Sequence, residues 1–131
     1  MLSLLTSCGL ENRLIFHPST EILRTPRDVG LEYQDIYFTT ADNVRLNGWF
    51  IPHQQASVTM IWFHGNADNI ADRVDNIKLL HDKTGIGIFV FDYRGYGRSP
   101  GRSSETTTYL DGGDPYYERL SSFIENPRSN Y

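Results

Sequence analysis

The stretch Met60–Ile70, MIWFHGNADNI, decides how the rest of the chain is read. Apolar residues run straight into a histidine, a glycine and an asparagine, and an acidic segment follows. A strand that is apolar almost without interruption is buried on both faces, as in a parallel sheet covered by helices. The run before His64 therefore predicts an interior strand that begins near Ser57. The polar corner after it is where backbone groups leave the core.

Downstream, Ile70, Val74, Ile77 and Leu80 or His81 follow helical spacing. Asp68 is placed to cap this helix. Asp72 and Asp75 fall early, and Lys78, His81 and Lys83 fall late, which suits the helix dipole. Gly85 is expected to close it with a positive φ. GIGIFVFD (85–92) is a second unbroken apolar run. Strand, helix and strand over about 35 residues make a βαβ unit with a right-handed crossover.

Upstream, the pattern changes. YQDIYFTT (33–40) is aromatic and β-branched, and NVRLNGWFIP (43–52) alternates, with Val44, Leu46 and Phe50 on one side. The short ADN signal between them predicts a β-hairpin. Residues 1–30 read as an N-terminal arm, with RTPRDVG as loop because Pro26 and Gly30 break any pattern. After Asp92, YRGYGRSPG is a glycine-rich loop. A last helix is expected from Asp114 as cap and Pro115 as first residue, with Leu120, Phe123 and Ile124 on its apolar face.

Composition narrows the function classes. The 131 residues suffice for one domain with a real core, and 39% apolar and 13% aromatic residues indicate a globular chain. Twelve Lys/Arg against sixteen Asp/Glu give a net charge of −4. That balance, without a basic run, argues against a nucleic-acid partner. No stretch approaches the roughly 18 apolar residues of a membrane span. The single cysteine, Cys8, excludes an internal disulfide and a Cys-rich metal cluster. LLTSCG around it looks like a lipoprotein lipobox, but only Met1–Leu5 precede the polar pair Thr6–Ser7, and no basic residue precedes the cysteine. Two readings stay open: an ordinary thiol in a cytoplasmic chain, or the remnant of a truncated signal in a membrane-associated or exported one. His17, His53 and His81 lack metal-like spacing with acidic partners and read as surface or cap residues.

Taken in order, the hairpin, the strand ending in HGNADN (64–69), the helix and the strand ending in FDYRGYGRSPG (91–101) resemble the α/β-hydrolase fold superfamily, in its single-domain serine-hydrolase branch. The resemblance covers about residues 30–131 and implies an incomplete α/β-hydrolase sheet, a hairpin plus parallel strands with flanking helices. It also implies hydrolysis of ester, thioester or amide bonds, on a small-molecule or lipid substrate of the parent enzyme, without cofactor or metal. HGNADN looks like the family's oxyanion-hole loop. By that resemblance the donor is the backbone N–H of Asn66, Gly65 permits a sharp turn and close approach, and His64 orients the loop without acting as catalytic base. The alternative for His64–Asn66 is a plain strand-to-helix turn with an N-cap. Tyr93 and Tyr96 are candidates for a substrate mouth, with core packing as the other reading. Asp68 stands where many relatives have glycine.

Ser99 in GRSPG fits the letters of a G-x-S-x-G nucleophile elbow. The residue after the nucleophile must donate its N–H to the oxyanion hole, and Pro100 has none. The catalytic triad is therefore expected beyond this chain, since ENPRSNY (125–131) resembles the connection before the nucleophile strand. On the family's strand order the strand before His64 becomes an edge, which invites self-association. A non-catalytic binding module is the competing function.

Overall fold

The computed structural model describes residues 7–113, with side chains from residue 11 onward. The helix expected from Asp114 and the segment ENPRSNY lie outside the described residues. In chain order the elements are α1 (Ser7–Ile15), β1 (His17–Pro18), a 3-10 turn (Pro26–Val29), β2 (Gln34–Thr39), β3 (Arg45–Ile51) and β4 (Thr59–Trp62). They continue with β5 (Ala67–Asp68), a second 3-10 turn (Ile70–Arg73), α2 (Val74–Thr84), β6 (Gly87–Phe91) and α3 (Glu105–Asp111).

Four strands form one sheet in the order β2-β3-β6-β4. β2 and β3 are the expected antiparallel hairpin, turning at Asn43 with φ 67°. β4 and β6 are parallel, from Thr59 opposite Gly87 to Trp62 opposite Val90. β3 joins them by pairing antiparallel with β6.

Side chains alternate across this sheet and fill two cores. Trp49, Ile51, Ile88 and Val90 face Val74 and Ile77 of α2 together with Leu31, Ile70 and Ala71. On the opposite face Ile36, Leu46, Phe50, Phe89 and Phe91 pack with Tyr93 and Tyr96, and Val44 joins them. Both faces being buried is why β6 carries no polar residue. Trp62 is only half-buried, because β4 ends the sheet among the described residues.

One local expectation needs correction. The helix after β5 is capped by Asn69, whose side chain accepts the Ala71 N–H at 2.8 Å, while Asp72 answers the Asn69 N–H at 3.2 Å. Asp68 does not cap, because it is held in β5 opposite Pro18 with a left-handed φ of 64°. The stretch 93–101 is a loop as expected; α3, capped by Ser104, follows it and was not foreseen from the sequence. Gly85 closes α2 as expected, at φ 66°.

Candidate functional site

The corner His64–Asn69 leaves the C-terminal end of β4 and reaches α2 through β5 and a 3-10 turn. Three successive carbonyls along it are each bonded by a donor. Tyr93 Oη donates to the His64 carbonyl at 2.9 Å. His64 Nδ1 lies 2.8 Å from the Gly65 carbonyl, which can only accept, so Nδ1 carries the proton. The Asn66 carbonyl accepts from Tyr96 Oη at 2.7 Å and from the His17 N–H at 2.9 Å.

A trans peptide points its C=O and the following N–H in opposite directions. With the Gly65 carbonyl turned to the buried His64 ring, the Asn66 N–H points away from that ring. It has no hydrogen-bond acceptor among the described residues, and Asn66 and Gly65 are both exposed. Gly65 does not supply the turn: its φ is not in the left-handed region, and the tight residue is Asp68. A Cβ built on Gly65 would meet nothing within 4 Å, so the space in front of this peptide is open.

Tyr93 and Tyr96 are placed inside, at 4% and 0% exposure, with their hydroxyls committed to the loop. Burial pushes the Tyr93 phenol up to about 12, so it remains a donor at neutral pH. The His64 ring touches both, tilted against Tyr93 at 4.6 Å and edge-on to Tyr96 at 5.3 Å. Its Nε2 lies 3.3 Å from Oδ1 of Asp92, whose side chain is fully buried. Asp92 Oδ1 also accepts the Ile70 N–H at 3.0 Å, tying the end of β6 to the start of the helix.

The loop after β6 is scaffold. Ser99 is buried, its Oγ donating to the Asp92 carbonyl at 2.7 Å and accepting the Asn47 N–H at 2.9 Å, so the hydroxyl ties β3 to the end of β6. Arg94 pairs with two carboxylates. It meets both oxygens of Asp42 at 2.6 and 2.8 Å and Asp111 through Nε at 2.7 Å. The guanidinium holds the Asp42 carboxyl well below the usual range, whereas burial pushes Asp111 up against the pull of Arg94.

The sequence did not foresee that the N-terminal arm reaches the site. β1 runs parallel to β5, with His17 opposite Ala67. Ser19 takes part as well: its N–H donates to the Asp68 carbonyl, and its own carbonyl accepts from Gly97 N–H and Asn69 Nδ2. A two-residue strand has no periodicity to detect. Among the described residues no cluster of three or more His, Cys, Asp or Glu is arranged to hold a metal ion, and no helix is long and apolar enough to cross a membrane. A cleft of about 490 Å³ lies beside the arm between Arg13, Phe16, Gly95 and Arg102, and its lining does not include residues 64–66.

No family model matches the chain. It is 37% identical over 83 residues to the α/β hydrolase domain-containing protein WAV2 of Arabidopsis thaliana, covering 62% of this chain and 27% of that protein. It is 30% identical over 96 residues to the protein bem46 of Schizosaccharomyces pombe, covering 71% and 32%. Among solved structures, the Pyrococcus furiosus esterase Pf2001 superposes with a TM-score of 0.65 at 26% identity, over 86% of this chain and 43% of that one. The chain thus spans less than half the length of each of these three relatives. The strand order β2-β3-β6-β4, the parallel β4–α2–β6 unit and these similarities agree: the chain has the α/β-hydrolase fold and spans part of it.

Proposed function

We propose that this chain supplies one half of an oxyanion hole to a serine hydrolase acting on ester, thioester or amide bonds, and that the Asn66 N–H is the donor. The observation that carries the reading is the row of three bonded carbonyls, 64 to 66, which leaves the Asn66 N–H without an acceptor among the described residues on the open side of the loop.

In acyl transfer, charge develops on the carbonyl oxygen as the tetrahedral centre forms. A donor already fixed in direction stabilises that charge without reorganising, and removing one such donor costs about 2.7–4 kcal/mol. His64 serves the reaction by orienting the loop, not as a base, because its Nδ1 proton is committed to Gly65. Tyr93 and Tyr96 brace the loop from within. No residue of this chain acts as nucleophile: Ser99 is buried, its proton is held by the Asp92 carbonyl, and no base lies beside it among the described residues. The nucleophile, general base and acid belong to the remainder of a hydrolase fold.

The test is hydrolysis of a short-chain nitrophenyl ester. The 131-residue chain alone gives no turnover above background. In a hydrolase-competent protein that carries this segment, Asn66→Pro, which removes the N–H, lowers kcat by about 10²–10³. Asn66→Ala, which keeps it, stays within a few-fold of the parent. Equal losses in the two variants refute the backbone-donor reading. Turnover by the chain alone that Ser99→Ala abolishes refutes the assignment of the nucleophile elsewhere.

The second reading is a binding module that self-associates through β4, favoured by the position of β4 at the sheet end among the described residues and by the 59% exposure of Val58. A mass measured by light scattering that stays monomeric across a concentration series rules it out.

A further inference from the structure

Two buried polar atoms at the centre of the loop lack ordinary partners. His64 Nε2 lies 3.3 Å from Asp92 Oδ1, and among the described residues neither Nε2 nor Asp92 Oδ2 has a well-formed hydrogen bond. Both side chains are fully buried. Oδ2 is packed against Gly97, where an added Cβ would collide with it, which leaves no room for a water on that side. Buried polar groups in native proteins are nearly always satisfied, so such a pair calls for an explanation.

The explanation follows from counting protons. Nδ1 must hold one to serve the Gly65 carbonyl. If Asp92 were ionised and His64 neutral in that tautomer, the Nε2 lone pair would face a carboxylate in a dry site. One further proton between Nε2 and Oδ1 removes the conflict. It makes either a carboxylic acid donating to a neutral imidazole or an imidazolium donating to a carboxylate, and both carry the same net charge. Loss of that proton leaves His64 one N–H for two acceptors. The charged acceptor takes it, the ring changes tautomer, and a bare Nδ1 then repels the Gly65 carbonyl. The Gly65–Asn66 peptide must then rotate, and the Asn66 N–H with it.

We propose that His64 and Asp92 hold one proton between them, and that this proton fixes the Gly65–Asn66 peptide in the orientation that frees the Asn66 N–H. Asp92 is then a positioning residue for the candidate oxyanion donor, acting through His64; its meaning for catalysis rests on the hydrolase reading above. Burial raises Asp92, which favours retention of the proton. The other titratable groups facing the pair are Asp72 from the 3-10 turn, which adds to the rise, and the neutral phenols of Tyr93 and Tyr96. Arg94, next in sequence, engages Asp42 and Asp111 instead.

Nitrogen NMR of the full chain with ¹⁵N-labelled histidine reads the ring protons directly, and the Gly65 and Asn66 amide resonances with their residual dipolar couplings read the peptide. The expected result is a protonated Nδ1 at neutral pH and, as pH rises, one deprotonation of the His64–Asp92 pair that moves the Asn66 coupling at the same midpoint. In Asp92→Asn the carboxamide NH₂ faces Nε2 with no titrating proton, so the event disappears and Nδ1 stays protonated. A bare Nδ1 at neutral pH overturns the proposal. So does a pair that shows no deprotonation before the fold is lost, an Asn66 coupling indifferent to the event, or an unchanged midpoint in Asp92→Asn. If that variant does not fold, the wild-type titration alone decides. The readout needs no turnover, so it fails or stands independently of whether Asn66→Pro slows a hydrolase.

Discussion

Replacing Arg94 by Met isolates the buried charge on which the loop after β6 depends. Asp111 is fully buried and receives three donors from residue 94: the backbone N–H at 2.8 Å, Nε at 2.7 Å and a second guanidinium nitrogen at 2.6 Å. The substitution leaves it the backbone donor alone. Asp42, the other partner, has a side chain 38% exposed and regains water, so the cost lies with Asp111. Breaking a buried pair from one side costs about 3–5 kcal/mol, because the remaining charge is uncompensated. Urea denaturation should show that loss as a lower midpoint at unchanged m-value. The sign of its pH dependence is fixed. Without Arg94, Asp111 has a folded pKa raised further above its unfolded value, so it binds more protons folded than unfolded. Its contribution is then present below the unfolded pKa and lost as pH rises through the folded one, and the deficit of Arg94→Met shrinks on acidification. Adding Asp111→Asn to Arg94→Met should recover part of the stability at neutral pH. A loss under about 1 kcal/mol, or no recovery in the double variant, would refute the buried-charge reasoning.

Other outcomes follow from single positions. Gly97→Ala meets a φ of 48° and a collision with Asp92 Oδ2, and should destabilise by about 2–4 kcal/mol or prevent folding, whereas Gly65→Ala, facing open space, should change the urea midpoint by less than about 1 kcal/mol. Asn69→Ala removes the helix cap and the donors to the Ser19 and Glu21 carbonyls, and thermal melts should register about 2 kcal/mol or more. Asp68→Gly relieves a left-handed aspartate and should leave stability equal or up to about 1 kcal/mol higher; a clear loss would mean that the carboxylate itself holds the loop. Because burial raises Asp92, its contribution is present below the unfolded carboxylate range and falls as pH rises through its folded value. The stability of Asp92→Asn relative to wild type should therefore improve with increasing pH, and a trend of opposite sign in paired urea titrations would contradict the burial argument.

What the sequence disclosed was whatever repeats locally. β4 and β6 could be read because burial on both faces leaves an unbroken apolar run, and α2 because Ile70, Val74 and Ile77 recur three or four residues apart, close to one helical turn. The cap was misread by one residue: Asp68 and Asn69 are both good cap formers, and the choice between them is made by β1, which holds Asp68 in a strand. That strap is two residues long and carries no pattern of its own. The partners of Arg94 lie in the hairpin turn and in α3, and no local rule joins those segments. The same holds at the site. The motif His64–Gly65–Asn66 identified the loop, yet Tyr93 and Tyr96 were considered for a substrate mouth, and Asp92 was read only as the end of a strand. Their roles depend on contacts between β4 and β6, which follow from sheet pairing and not from spacing.

Native-state hydrogen exchange of the full chain tests the central claim most directly. The loop is held by its carbonyls while the Asn66 N–H stays unbonded and outward. That amide should exchange close to the rate of an unprotected one, whereas the Ile70 amide, bonded to buried Asp92, and the Ala71 amide, bonded to the Asn69 cap, should be slowed by orders of magnitude. An Asn66 amide protected as strongly as Ile70 would mean that it is already engaged within the fold, and the oxyanion assignment would be wrong.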